Sequence, residues 1–261
     1  MKRFMLLAPV FFTLLLPLSA WCQDSRLAKL FADTHIDGTV VISNLDGSRR
    51  YTHNEQRAQT PFIPASTFKV LNTLIALDEG VVSEAEVIKW DGTQHEFAAW
   101  NRDQTLDSAF KSSCVWFYQE LARRIGAEKY RTYLRTVGYG NALAEPELTT
   151  FWLSGDLRIT ALEQVEFLTR VYTRKLPFKA SSYNILSRIM QTEAKPEYSL
   201  RAKTGWGARV SPQVGWYVGY LLTKDNTPWF FAMNMTVTQP EDLKFRQQLV
   251  MEALRVVGII R

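Results

Sequence analysis

The chain predicts a mixed α/β fold of the α+β kind: one antiparallel sheet assembled from both chain ends, flanked by helices, with a helical insert between them. Three observations lead there. Segments of strand composition lie near the two ends (38–53 and 199–237), and helical periodicity fills the stretch between. The 261 residues, 46% hydrophobic and 22% charged, are enough for one large domain or two small lobes around a real core.

The elements follow in order. Residues 38–43 (Gly-Thr-Val-Val-Ile-Ser) read as a strand, Asp46-Gly47 as a turn and residues 50–53 as the partner strand. Pro61 and Pro64 bracket an extended entry to a helix over 66–79, which Gly80 stops. Residues 81–110 are mixed and rich in loops. Helices are predicted over 113–125, 128–137, 160–174 and 183–192. The pattern then changes to strands over 199–204, 215–222 and 229–237, with turns near Ser211-Pro212 and Asp225-Asn226, and a closing helix over 241–257. A ligand cleft is expected where the insert meets the sheet.

Composition narrows the function classes. Glycine (13) and proline (10) are too sparse for collagen or low-complexity sequence, and no repeat of solenoid length is visible. The net charge is +5, two units of which sit at Lys2 and Arg3. The densest basic run, Ser48-Arg49-Arg50, follows a turn and reads as a solvated hairpin end, so no nucleic-acid partner is expected. Residues 1–22 have the form of a secretory signal peptide: a short basic start, an apolar run over 4–18 broken by Pro9 and Pro17, and Ala20-Trp21-Cys22 before a cleavage point. Cleavage after Ala20 competes, and Trp21 argues against an acylated Cys22. The mature domain is then residues 23–261, expected to be exported to the periplasm and held by no membrane after cleavage. Loss of Cys22 leaves Cys114 alone, which forbids an internal disulfide. His35, His53 and His95 lack metal-ligand spacing, and no CxxC, HExxH or phosphate loop is present, so no metal or organic cofactor is expected.

The chemistry concentrates in a few short motifs. In Ser66-Thr67-Phe68-Lys69 the hydroxyl and the amine lie three residues apart on one helix face, so they can touch. Seven of the ten residues from Phe68 to Leu77 are apolar and surround the helix, which predicts that Lys69 is buried. Burial disfavours an ammonium; bringing its pKa to near neutrality corresponds to roughly 4 kcal/mol of differential solvation. The bland alternative is an N-cap serine, and a second copy of the spacing, Ser108-Ala-Phe-Lys111, shows how easily it arises. Lys203-Thr204-Gly205 supplies a late lysine at a strand end, with a glycine that leaves the backbone open to a substrate. SxxK early with KTG late is the signature pair of penicillin-recognising serine enzymes.

The intermediate motifs choose the branch. Pro64-Ala-Ser-Thr-Phe-Lys69, Lys89-Trp-Asp-Gly92, Ser113-Cys114-Val115, Tyr139-Gly140-Asn141, Phe151-Trp-Leu-Ser-Gly155, Lys203-Thr-Gly-Trp206 and Gly215-Trp-Tyr-Val-Gly219 occur in that order. Over about residues 38–246 the chain resembles the class D, oxacillinase-type, serine β-lactamases. Ser154 departs from the acidic residue many members carry, and Cys114 fills a variable position. The resemblance implies the serine β-lactamase and penicillin-binding transpeptidase-like fold, β-lactam hydrolysis and β-lactam resistance. It further implies these roles: Ser66 as acylated nucleophile; Lys69, N-carboxylated by CO2 or bicarbonate to N6-carboxylysine, as general base for both half-reactions; Ser113 as proton relay and Lys203 as source of positive potential. The backbone N–H groups of Ser66 and Trp206 would form the oxyanion hole, Trp152 would hold the carbamate, and Val115 and Leu153 would keep the pocket dry. Thr204, Gly205 and Arg246 would bind the substrate with its carboxylate, and Trp100 would flank its side chain. Arg246 in a helix could instead face solvent, and Trp152, Val115 and Leu153 could be plain core. Tyr139-Gly140-Asn141 reads as structural.

Three rivals share some of these features: a penicillin-binding peptidase, a covalent β-lactam sensor and a non-enzymatic envelope binding protein. Trp152 and Val115 favour the hydrolase over the peptidase, and the sequence has no further membrane segment for a sensor.

Overall fold

The computed structural model describes residues 24–261, so the leader assigned to 1–22 lies outside the described residues. Helix α1 (Ser25–Thr34) is capped by the Asp24 carboxylate, which accepts from the Arg26 N–H. Strands β1 (Gly38–Asn44) and β2 (Arg50–His53) form the expected hairpin. Helix α2 (Glu55–Ala58) leads to the helical insert: α3 (Lys69–Asp78), α4 (Leu106–Lys111), α5 (Val115–Ile125), α6 (Ala127–Val137), α7 (Ala161–Tyr172) and α8 (Ala180–Ile189). Strands β3 (Gln191–Ala194), β4 (Tyr198–Gly207), β5 (Gln213–Thr223) and β6 (Pro228–Val237) follow, then α9 (Phe245–Val256).

All six strands make one antiparallel sheet in the order β2-β1-β6-β5-β4-β3. Strand β1 pairs along its whole length with β6, Gly38 opposite Met235 and Asn44 opposite Trp229, so the two chain ends do build one sheet. Side chains alternate between its faces. Val40, Ile42, Phe231, Met233 and Met235 face α1 and α9, meeting Leu27, Phe31, Leu249 and Ala253. Val41, Val218, Phe230 and Ala232 face the other way, into a larger core with α3, α5 and α7. With both faces covered, β5 is buried over most of its length, which explains its unbroken apolar run.

Several boundaries differ from the sequence reading. The segment after Pro64 begins as a 3₁₀ turn (Ala65–Phe68) and becomes α-helical only at Lys69. Ser113 precedes α5 instead of opening it, with φ +56. The helix predicted over 183–192 ends at Ile189, and its tail is the edge strand β3, whose Gln-Thr-Glu-Ala shows no apolar alternation. Lys203-Thr204-Gly205 lies inside a ten-residue strand, not at its end. The closing segment starts as a 3₁₀ turn (Pro240–Lys244). Helices α1 and α4 were not anticipated, although Thr105 and Ser108 form a capping box at α4. That box disposes of the second SxxK: the Ser108 hydroxyl accepts from the N–H of the capping residue Thr105 at 2.9 Å, and exposed Lys111 pairs with Asp107 at 2.8 Å.

Candidate active site

The site forms where the Ala65–Phe68 turn, the loop before α5, and β4 converge, bounding a cleft of about 370 Å³. Ser66, Trp100, Ser113, Val115, Leu153, Thr204, Gly205, Trp206 and Arg246 all line it. Lys69, Trp152 and Lys203 lie beneath its surface.

Ser66 is 9% exposed and its hydroxyl caps nothing; the 3₁₀ turn has no side-chain cap. The Lys69 Nζ donates to Ser66 Oγ at 2.9 Å. Lys69 is fully buried, has no carboxylate partner among the described residues, and lies 5.0 Å over the Tyr118 ring. Burial lowers its pKa to about 7. The amine is therefore neutral in a large fraction of molecules near neutral pH. Cys114, also buried, is pushed up to about 11 by desolvation and stays a thiol.

Lys203 forms the second half. Its ammonium donates to Ser113 Oγ, in a short contact, and to the Thr204 carbonyl at 3.0 Å. Burial lowers its pKa well below the ordinary lysine value, and the charges of Lys69 and Arg246 lower it further. Two buried lysines sharing one site disfavour each other's charge. An anion between them would reverse that for Lys203.

The indole Nε1 of Trp152 is fully buried and has no hydrogen-bond partner. A buried donor left unmatched costs about 1–3 kcal/mol, so it calls for an acceptor. The ring stacks on Phe68, the residue before Lys69, at 5.6 Å. A buried, unpaired N–H on a ring stacked against the neighbour of Lys69, beside a neutralised amine, is a donor set whose chemistry suits an anionic acceptor such as a carbamate.

Strand β4 presents the remaining groups. Its pairing with β5 runs without a shift from Tyr198 to Gly207. The Ala202 N–H points off the β5 side to the Met190 carbonyl. Alternation then aims the Trp206 N–H off the same edge, toward the turn bearing Ser66. Gly205 makes that approach possible: a Cβ there would lie 3.1 Å from the Pro64 carbonyl and from Thr67 Cγ2. Its bare face accommodates the nucleophile's turn as well as bordering the cleft. Arg246 does not face solvent. It crosses the bare face of Gly215, where a Cβ would meet its Cδ at 3.0 Å, and donates to the Gly205 carbonyl at 2.8 Å. Burial holds its pKa at about 10, so it remains a cation at the cleft wall.

Tyr139-Gly140-Asn141 is structural, as read. Asn141 donates to the Asp156 carbonyl and accepts from the Arg158 N–H, which ties the loop down. The cleft also includes residues the motifs did not mark: Glu96, Phe97, Arg209 and Leu243. Of these, Arg209 belongs to the 207–213 connection between β4 and β5, which its place beside the site could have flagged, and Leu243 lies one turn before Arg246. Exposed Phe97 packs on Trp100 with ring centres 4.8 Å apart.

A serine with a buried lysine on the next turn, and a second lysine on the adjoining strand, define an acyl-transferring serine enzyme of the penicillin-recognising class. The penicillin binding protein transpeptidase domain family matches residues 38–255. The chain is 42% identical over 241 residues to Beta-lactamase OXA-48 of Klebsiella pneumoniae, covering 92% of this chain and 91% of that protein. It is 36% identical over 242 residues to Beta-lactamase OXA-10 of Pseudomonas aeruginosa, covering 91% of each. Among solved structures, the class D β-lactamase YbXI from Nostoc superposes with a TM-score of 0.86 at 40% identity, over 89% of this chain and 98% of that one. FUS-1 (OXA-85), a class D β-lactamase from Fusobacterium nucleatum subsp. polymorphum, gives 0.88 at 33% identity, over 92% and 100%. The chain belongs to the class D, OXA-type, serine β-lactamases.

Proposed function

We propose that the chain hydrolyses β-lactam antibiotics through an acyl-enzyme on Ser66, with N-carboxylated Lys69 as the base for acylation and deacylation, and so confers β-lactam resistance. The observation that carries the reading is the buried amine of Lys69, pKa about 7, 2.9 Å from Ser66 Oγ. Carboxylation of the neutral amine by CO2 supplies an anionic base at the end of that side chain. The unmatched Trp152 N–H supports it by offering the donor such an anion needs.

Ser66 Oγ forms a bond to the lactam carbonyl carbon as its proton leaves toward the Lys69 side chain. The Ser66 and Trp206 N–H groups receive the oxyanion. The carbonyl carbon–nitrogen bond breaks, and Ser113, held by Lys203, passes a proton to the departing nitrogen. Thr204 and Arg246 bind the substrate carboxylate by hydrogen bond and charge, Gly205 borders it and Trp100 flanks the acyl side chain. Half-buried Val115 and buried Leu153 restrict water around Lys69. Water gives a proton to the same base and bonds to the ester carbonyl carbon; the bond from that carbon to Ser66 Oγ breaks, Ser66 takes the proton back and the opened acid leaves. We place this activity in the periplasm on the strength of the leader.

Hydrolysis of a chromogenic cephalosporin by the purified protein, with and without bicarbonate, tests the reading. Turnover that rises with bicarbonate supports it. Stoichiometric acylation without turnover would identify a penicillin-binding peptidase instead.

A further inference from the structure

The nucleophile stands on an unusual piece of backbone. Ala65, immediately before Ser66, is fully buried and holds φ at +48, in the left-handed region that non-glycine residues avoid. Such a conformation persists only where its surroundings over-determine it. Three buried groups do so. The Trp216 indole donates to the Ile63 carbonyl at 2.9 Å. Thr67 donates twice to the Pro64 carbonyl, from its N–H at 3.1 Å and its hydroxyl at 2.7 Å. The Thr67 hydroxyl, its proton committed, accepts from Gln164 Nε2 at 2.9 Å, and the same amide reaches Tyr139 OH at 3.4 Å. Gln164 is fully buried on α7, ninety-seven residues from Thr67, and touches neither Ser66 nor the cleft.

We propose that Gln164, acting through Thr67, is a positioning residue for the reaction: it holds the Pro64–Thr67 turn in the strained form that aims Ser66 Oγ at Lys69 and into the cleft. The direction of the hydrogen bonds carries this. With the Gln164 amide donating into its lone pair, the Thr67 hydroxyl is held in the orientation that gives its proton to the Pro64 carbonyl. An amide at position 164 supplies that donor and an apolar side chain does not. The Gln164 Nε2 faces both Thr67 and Tyr139, while its Oε1 has no partner among the described residues. Tyr139 gains a role too: its ring packs edge-on against Phe68 at 5.6 Å while its hydroxyl shares the amide, tying that motif loop to the turn.

The inference rests on Ser66 being the nucleophile. The test is the acylation rate constant of Gln164→Met, Thr67→Val, Thr67→Ser and the Gln164→Met/Thr67→Val double variant, measured by stopped flow at saturating bicarbonate per active site titrated. A displacement of the nucleophile by an ångström lowers such a rate about 100-fold. That loss is expected for Gln164→Met and Thr67→Val with substrate Kd unchanged, rescue is expected in Thr67→Ser, and the double variant should be no slower than Thr67→Val alone. Undiminished acylation in variants that merely melt earlier overturns the proposal, as do losses that multiply in the double variant. Should Gln164→Met fail to fold, the contrast of Thr67→Val with Thr67→Ser decides in the same way. A native protein that forms no adduct at Ser66 refutes the assignment of the nucleophile instead.

Discussion

Replacing Trp152 by Phe removes the indole N–H and part of the ring's volume while leaving an aromatic ring in place. The phenyl ring can keep the stack on Phe68, now at 5.6 Å, and the edge contact to Phe151, now at 4.9 Å. If the indole N–H holds a carbamate oxygen, its loss removes a hydrogen bond to a charged acceptor, worth about 1.5–3 kcal/mol. At 1.4 kcal/mol per decade, the bicarbonate needed for half-maximal turnover rises about 10- to 100-fold. Stability should move little: the smaller ring leaves a void, but an orphan donor that costs about 1–3 kcal/mol in the uncarboxylated protein disappears. Trp152→Ala would confuse the two effects, because opening a cavity of that size costs about 3–5 kcal/mol by itself. The assay is initial-rate hydrolysis of a chromogenic cephalosporin in degassed buffer across a bicarbonate titration, beside a thermal melt. A Trp152→Phe enzyme whose turnover falls at every bicarbonate concentration, with an unshifted midpoint, would refute the reasoning.

Three further outcomes follow from the same geometry. Ser66→Ala should leave no covalent adduct in intact-protein mass spectrometry with excess penicillin; an adduct that persists means another nucleophile. Lys69→Met should stabilise the protein at acid pH, because an amine with a folded pKa of about 7 against an ordinary 10.5 carries an unfavourable proton below pH 7, worth roughly 5 kcal/mol. The unfolded chain binds more protons between those two values, so native stability climbs with pH and the advantage of Lys69→Met shrinks toward pH 10.5. Thermal melts in CO2-free buffer at several pH values check this, and a gap that does not change with pH contradicts it. Arg246→Ala should raise KM for carboxylate-bearing substrates about tenfold, a half-buried charge-assisted contact discounted for solvent, while an analogue with its carboxylate esterified shows a smaller loss; equal losses for both would remove Arg246 from substrate binding.

Local spacing made much of this protein legible. Ser66 and Lys69 meet because residues three apart on a helical turn always do, and the apolar ring around α3 foretold the burial that neutralises the amine. The β1–β2 hairpin came from alternation and an Asp-Gly turn, and its antiparallel union with β6 followed from the order of strand-like and helix-like segments. Where side chains gave no periodic signal, as in polar β3, the reading failed and extended a helix through a strand.

Tertiary structure decided the rest. No spacing rule brings Lys203 to Ser113 across ninety residues, turns Arg246 from solvent to the Gly205 carbonyl, or sets Gln164 behind Thr67. Those contacts depend on the register of β4 against β5 and on how the insert seats against the sheet, which are properties of the packed whole. The sequence by itself determined which groups are present and which near neighbours touch, since chain geometry over a few residues is fixed by covalent sterics. Only packing determined which distant groups share one dry site, because there proximity and desolvation are set by every element at once.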